Sequence, residues 1–145
     1  KSTLRDTFFV PNGYVAVNRD TLGNQSKCLK VAEEALAEGK SVIIDNTNPS
    51  KAVRKPYIDL AKKFGVPARC LHLNIPSEVC DHLNYYRQIL TKGARRRVPD
   101  VGVRVFAKDF QTPTVDEGFA EVKKLGFVPQ FDSAGDEELF KQWSH

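Results

Sequence analysis

The sequence predicts an α/β protein built on a parallel sheet with helices on both faces. Short β-branched runs alternate with stretches of helical periodicity, and polar loops leave the runs at their carboxyl ends. Strands joined by intervening helices form βαβ units, and such units make a parallel sheet covered on each side. Ligands of these sheets bind outside the carboxyl ends of the strands.

The elements follow in order. Residues 1–9 read as a helix, stopped by the Pro11–Asn12–Gly13 turn, and "YVAV" (14–17) reads as a short buried strand. "NRDTLG" (18–23) reads as a polar loop. Over residues 24–38, Cys28, Leu29, Val31, Ala32, Ala35 and Leu36 keep close to helical spacing, and Gly39 stands where a C-terminal cap belongs. "SVIID" (41–45) is a β-branched strand, and "NTNPS" is a loop ending in a Ser50 cap. Residues 51–64 make a second amphipathic helix, ended by Gly65 and Pro67. "ARCLHLN" (68–74) is a third strand. After Pro76 a helix runs to about Leu90 with Ser77 as its cap, followed by the basic loop "TKGARRRVP" (91–99). Residues 100–109 are a further helix, "FAEVKKLGFVPQF" is strand-like, and residues 136–143 close the chain as a helix.

No repeat, low-complexity tract or linker divides these elements, so residues 1–145 are expected to form one domain. With 41% hydrophobic and 28% charged residues the composition is that of a soluble globular protein. No apolar run reaches the ~18 residues of a membrane span, so no membrane is expected as a partner. Cys28, Cys70 and Cys80 form no C-x-x-C pair and are odd in number, which suits reduced structural thiols in an intracellular protein. His72, His82 and His145 have no metal-ligand spacing, which argues against a structural zinc site. Charge is unevenly spread. Residues 51–110 carry thirteen basic and five acidic side chains, while residues 111–145 carry three basic and seven acidic. A basic middle of this kind suits either a phosphate-rich ligand or a solvated face.

The chemistry concentrates at three places. Lys1–Ser2–Thr3 match the back half of G-x-x-x-x-G-K-[ST], in which the lysine reaches nucleotide phosphates and the next hydroxyl ligates Mg²⁺. Asp20, three residues past the first strand, is either a turn or capping carboxylate or a base that deprotonates an acceptor hydroxyl. Arg19 beside it can pair with an anionic acceptor or merely form a surface ion pair. Asp45 ends the apolar strand "VIID", where a carboxylate contacting Mg²⁺ directly or through water belongs. Asn46, Thr47 and Asn48 are site residues or turn formers. Arg87 and the "GARRRVP" loop form the third place, since a mobile arginine can stabilise charge on a phosphoryl group in flight.

"NGYVAVNRDTLGNQSKC", "GKSVIIDNTNP" and "PTVDEGF" together resemble the kinase domain of eukaryotic polynucleotide kinase–phosphatases, along nearly the whole chain. The resemblance implies a P-loop kinase fold and transfer of the ATP γ-phosphate, with Mg²⁺, to 5′-hydroxyl DNA ends in DNA repair. It implies Lys1 and Ser2 as the Walker A pair, Asp20 as general base, and Arg19, Thr47 and Arg54 near the acceptor strand. It places Arg87 on a lid helix, with one or more of Arg95, Arg96 and Arg97 reaching ATP. A nuclear location and DNA-repair scaffold partners are expected on the same ground. So is an upstream 3′-phosphatase domain. Because the stretch begins at the Walker A lysine, a buried strand and a glycine-rich loop are expected before Lys1. Two rivals stand beside this reading: a P-loop kinase of a small metabolite, and a nucleic-acid-binding module with a dead kinase fold. The first explains the basic middle less well. The second gains nothing from acids beside a phosphate track.

Overall fold

Valine and isoleucine are stiff at χ1 and favour extended backbone, and the two shortest β-branched runs become strands β1 (Val15–Val17) and β2 (Val42–Ile44). They pair in parallel, with Val15 opposite Val42, Ala16 opposite Ile43 and Val17 opposite Ile44. The computed structural model describes residues 1–142; Trp143 and His145 lie outside the described residues. By compactness the described residues divide into two units, 1–70 with 109–122 and 71–108 with 123–142.

In the first unit, α1 (Ser2–Leu4) opens as an α-helix, widens into a π turn over Arg5–Phe9 and tightens into a 3₁₀ turn over Val10–Asn12. Gly13 ends it at φ +86°. Three helices follow: α2 (Arg19–Leu22), α3 (Gln25–Ala37) and α4 (Lys51–Lys63). Each starts on a side-chain cap, because the first N–H groups of a helix lack intrahelical partners. Asn18 accepts from Thr21 N, Asn24 from Lys27 N and Ser50 from Val53 N. The Asn18 cap turns "NRDTLG", expected as a loop, into a helical turn. Pro56 sits inside α4 without ending it.

The apolar core lies here: Val17, Cys28, Ala32, Ala35, Ile58 and Ala61 are buried. Leu22, Val31, Val42, Ile44, Tyr57 and Leu60 pack around its centre. Burial, reinforced by the Cys28 thiol, pushes the Tyr57 phenol up to about 12, so it stays neutral in this core.

The second unit is built on α5 (Ser77–Leu90), the α6 helix (Asp100–Asp109) and α7 (Ala134–Lys141). Ser77 is the first helical residue of α5 rather than its cap, and Pro76 precedes it with no capping side chain. Strands β3 (Arg69–Leu73) and β4 (Glu121–Leu125), each beginning in the first unit and ending in the second, pair with each other. Ala120 N–H donates to Ala68 O at one end and Asn74 N–H to Leu125 O at the other, so this pair is parallel too. The strands therefore form two pairs, β1–β2 and β3–β4. Packing in this unit is aromatic. Phe140 meets His82 at 4.7 Å, Phe131 at 5.2 Å and Tyr86 at 5.5 Å between ring centroids. His82 is buried, with Nε2 2.6 Å from the Phe140 carbonyl oxygen. Among the described residues no helix is long and apolar enough to cross a membrane.

Candidate active site

The parallel register sets the site. With Val17 opposite Ile44, the loops that leave β1 and β2 emerge side by side, and side chains stitch them together. Asn18 Nδ2 donates to the Asp45 carbonyl at 2.8 Å, and the Arg19 N–H donates to Asn46 Oδ1 at 2.7 Å. Asn18 thus caps α2 with one side-chain atom and holds the neighbouring loop with the other.

Asp45 is 4% exposed. A carboxylate so buried persists only with charged or hydrogen-bonding partners. Its Oδ2 accepts from Ser2 Oγ at 3.0 Å and from Arg5 Nη1 at 2.9 Å. Its Oδ1 is buried with no partner among the described residues. A buried acceptor left bare costs about 1–3 kcal/mol, and a cation is one group that would relieve it. Two hard oxygens, Ser2 Oγ and Asp45 Oδ1, are the donor type Mg²⁺ takes when phosphates supply the rest. Among the described residues no three His, Cys, Asp or Glu cluster to hold a metal unaided, and a phosphate-borne Mg²⁺ needs no such cluster. These residues fit the ion.

Arg5 escaped the sequence reading. It sits one helical turn past Ser2, on the same face, and that i, i+3 spacing was the available signal. It also bonds Asp6 through Nε at 2.7 Å. Hydrogen bonding to Asp6, with the charges of Asp45 and Asp6, outweighs burial and holds its guanidinium above the ordinary arginine value.

Asp20 lies in the first turn of α2, exposed, with no ion pair among the described residues. Asn18 is the cap of that helix, so the capping role open to Asp20 in the sequence is already filled. Arg19 and Thr47 are exposed, as are Lys1 and Thr3 beside Ser2.

Arg54 departs from its expected place on an acceptor track. It is 5% exposed, and its guanidinium grips Glu117 through Nε (2.8 Å) and Nη2 (3.0 Å). Its Nη1 donates to the carbonyls of Asn48 and Pro49. No face is left for a phosphate. A cavity of about 300 Å³ along α4, a size within the range of ligand pockets, is lined by Lys51, Lys55 and Lys62 together with Asp59 and Asp116. It includes none of the strand-end residues, so it is a mixed-charge groove apart from this chemistry.

The remaining candidate arginines, Arg87, Arg95, Arg96 and Arg97, belong to the second unit. Arg87 is half-buried on α5, with Nη2 on Asn84 Oδ1 at 3.1 Å and a buried Nε that has no partner among the described residues. Arg97 lies over the Tyr85 ring, 4.6 Å from its centroid, and pairs with Asp100 at 3.5 Å. Tyr85 is therefore the platform for Arg97. Arg95 and Arg96 are exposed.

Residues 19–113 match the family model described as an AAA domain. The chain belongs to that family and has its P-loop α/β fold. It is 44% identical over 127 residues to the bifunctional polynucleotide phosphatase/kinase of Schizosaccharomyces pombe, covering 88% of this chain and 31% of that protein. A protein of Acanthamoeba polyphaga mimivirus with the same bifunctional designation is 37% identical over 128 residues, covering 88% of this chain and 30% of its own. The transcription factor bHLH140 of Arabidopsis thaliana is 30% identical over 109 residues, covering 73% of this chain and 12% of its own. The chain thus spans less than a third of each of these curated relatives.

Proposed function

We propose that this chain is the kinase portion of a polynucleotide 5′-hydroxyl kinase, transferring the γ-phosphate of ATP to 5′-OH ends of DNA. The observation that carries the reading is the pairing of Ser2 with a buried Asp45 beside an unpaired Asp20, at two adjacent strand ends. The names of the fission-yeast and mimivirus relatives support it.

The roles follow from position. Lys1 precedes the helix that carries Ser2 and offers a cation to the phosphates. Ser2 and Asp45 offer oxygens to Mg²⁺, which when bound neutralises phosphate charge. Asp20 takes the proton of the acceptor hydroxyl as its oxygen attacks phosphorus and the ADP oxygen leaves. Arg19 and Thr47, both exposed, contact the acceptor strand. Arg87, Arg95 and Arg96 supply the cations that oppose charge on the transferring group. Arg97, already stacked on Tyr85, contributes least. The same reading carries a 3′-phosphatase in the remainder of the protein, repair scaffold partners and a nuclear location.

The test is Asp20→Asn in the full-length protein. Asparagine keeps size and polarity and cannot take the proton, so turnover is expected to fall by about 10²–10⁴-fold with ATP affinity largely spared. Near-normal turnover overturns the assignment of the base.

A further inference from the structure

The loop after β2 takes a turn that few residues tolerate. Asn48 has φ +44°, in the left-handed region, and its Oδ1 is buried with no partner among the described residues. Such conformations persist only where the surroundings over-determine them, and they cluster at functional sites. Here the surroundings are explicit. Arg54 Nη1 donates to the carbonyls of Asn48 (3.0 Å) and Pro49 (3.2 Å). The segment that carries Glu117 joins the same loop from the other side: Gln111 N–H donates to Pro49 O at 2.7 Å, and Lys51 N–H to Gln111 Oε1 at 2.9 Å. Glu117 is itself fixed. Its Oε2 accepts from Thr114 N–H at 2.9 Å as well as from Arg54, and its side chain is only 6% exposed.

We propose that Arg54 and Glu117 are positioning residues: their buried pair, together with Gln111, clamps the Asn48–Pro49 turn and so sets where Asp45, Asn46 and Thr47 stand at the reaction site. This rests on the kinase reading above. Buried ion pairs contribute little net stability compared with apolar groups of the same shape, and their best-attested use is to specify one arrangement. The arrangement specified here begins three residues after Asp45. A displacement of about 1 Å at a reacting centre costs on the order of 10²-fold in rate.

Two positions test it in the full-length enzyme, Arg54→Lys and Glu117→Gln. Lysine keeps the charge and loses the planar fork that bridges Glu117 to two carbonyls. The expected result for Arg54→Lys is a fall in kcat of about 10–100-fold, with the KM for ATP within about twofold of wild type. Glu117→Gln keeps an acceptor for the fork and should lose less. If Arg54→Lys does not fold, Glu117→Gln carries the same measurements. The salt dependence of the acceptor KM should be unchanged in both, because neither side chain touches a phosphate. Amide hydrogen exchange at Lys51 and Gln111 should accelerate in step with the loss of kcat.

Wild-type kcat with only a lowered Tm would make the pair merely structural and overturn the proposal. A log–log salt slope flatter by about one unit would put Arg54 back on the phosphate track. If the wild-type protein phosphorylates no 5′-OH end, it is the kinase reading that fails. Exchange at Lys51 and Gln111 then decides the clamp by itself, and unchanged protection in the variants overturns it.

Discussion

Two carboxylates show how environment divides one chemistry. Asp20 stands in solvent at the start of α2, whereas Glu117 is buried against Arg54. Burial alone pushes the Glu117 carboxyl up. The hydrogen bonds from Arg54 and from Thr114 N–H, with the charges of Arg54 and Lys51, outweigh it and hold the group below the usual glutamate value. A lowered folded-state pKa means that Glu117 contributes fully above the unfolded value. Its contribution is lost as pH falls through the folded one. Denaturant midpoints measured from neutral pH downward should therefore decline below the ordinary glutamate range, and Glu117→Gln should flatten that part of the profile. A wild-type profile parallel to that of the variant would remove Glu117 as the source of acid sensitivity.

At the scale of elements, Gly118 follows the 3₁₀ turn Val115–Glu117 at φ +112°, a conformation that side chains with a Cβ resist. A Cβ there would stand 2.9 Å from Ile58 Cγ2 and 3.0 Å from Lys62 Nζ. Lysine can move aside, but Ile58 is a core residue of α4, 2% exposed. Gly118→Ala should thus destabilise by about 1–3 kcal/mol, read from denaturant midpoints, and loosen the Glu117 pair with it.

Legibility in the sequence follows the same physics. Strands and long helices were plain because β-branched runs and helical spacing are local signals, and Ser50 was readable as a cap for that reason. Asp45 was readable because a carboxylate ending an apolar strand is conspicuous. Arg54 was misplaced because its partner lies 63 residues away, and no periodicity connects "AVRK" with "VDEG". "NRDTLG" passed for a loop because its helical turn depends on a single cap, Asn18.

For the whole molecule, the basic middle remains the feature most directly tested by bulk measurement. Arg54 is withdrawn from it by burial, while Arg104, Arg95, Arg96 and Lys55 are exposed. Lys55 is engaged with Asp59 on the surface of α4, a pairing of the kind worth at most about 1 kcal/mol. Each phosphate neutralised releases condensed counterions. The acceptor KM of the full-length enzyme should therefore worsen with salt at a log–log slope of about 0.7 per contact on single strands and 0.9 on duplex. A salt-insensitive KM would favour a small acceptor that touches few cations.

The stitching of the two strand-end loops has a thermodynamic consequence. Arg19 N–H on Asn46 Oδ1 and Asn18 Nδ2 on the Asp45 carbonyl leave the loops after β1 and β2 little freedom to move separately. Occupancy of one should be felt at the other, and linkage makes that influence reciprocal. If Mg²⁺ tightens binding of a 5′-OH oligonucleotide by some factor, the oligonucleotide must tighten Mg²⁺ by the same factor. Titration calorimetry on the full-length protein measures both, with a nonhydrolysable ATP analogue present. Asn46→Ala cuts one stitch and leaves Ser2, Asp20 and Asp45 in place, so the factor should shrink toward one while each ligand still binds. An unaltered factor would mean that the loops communicate by another route.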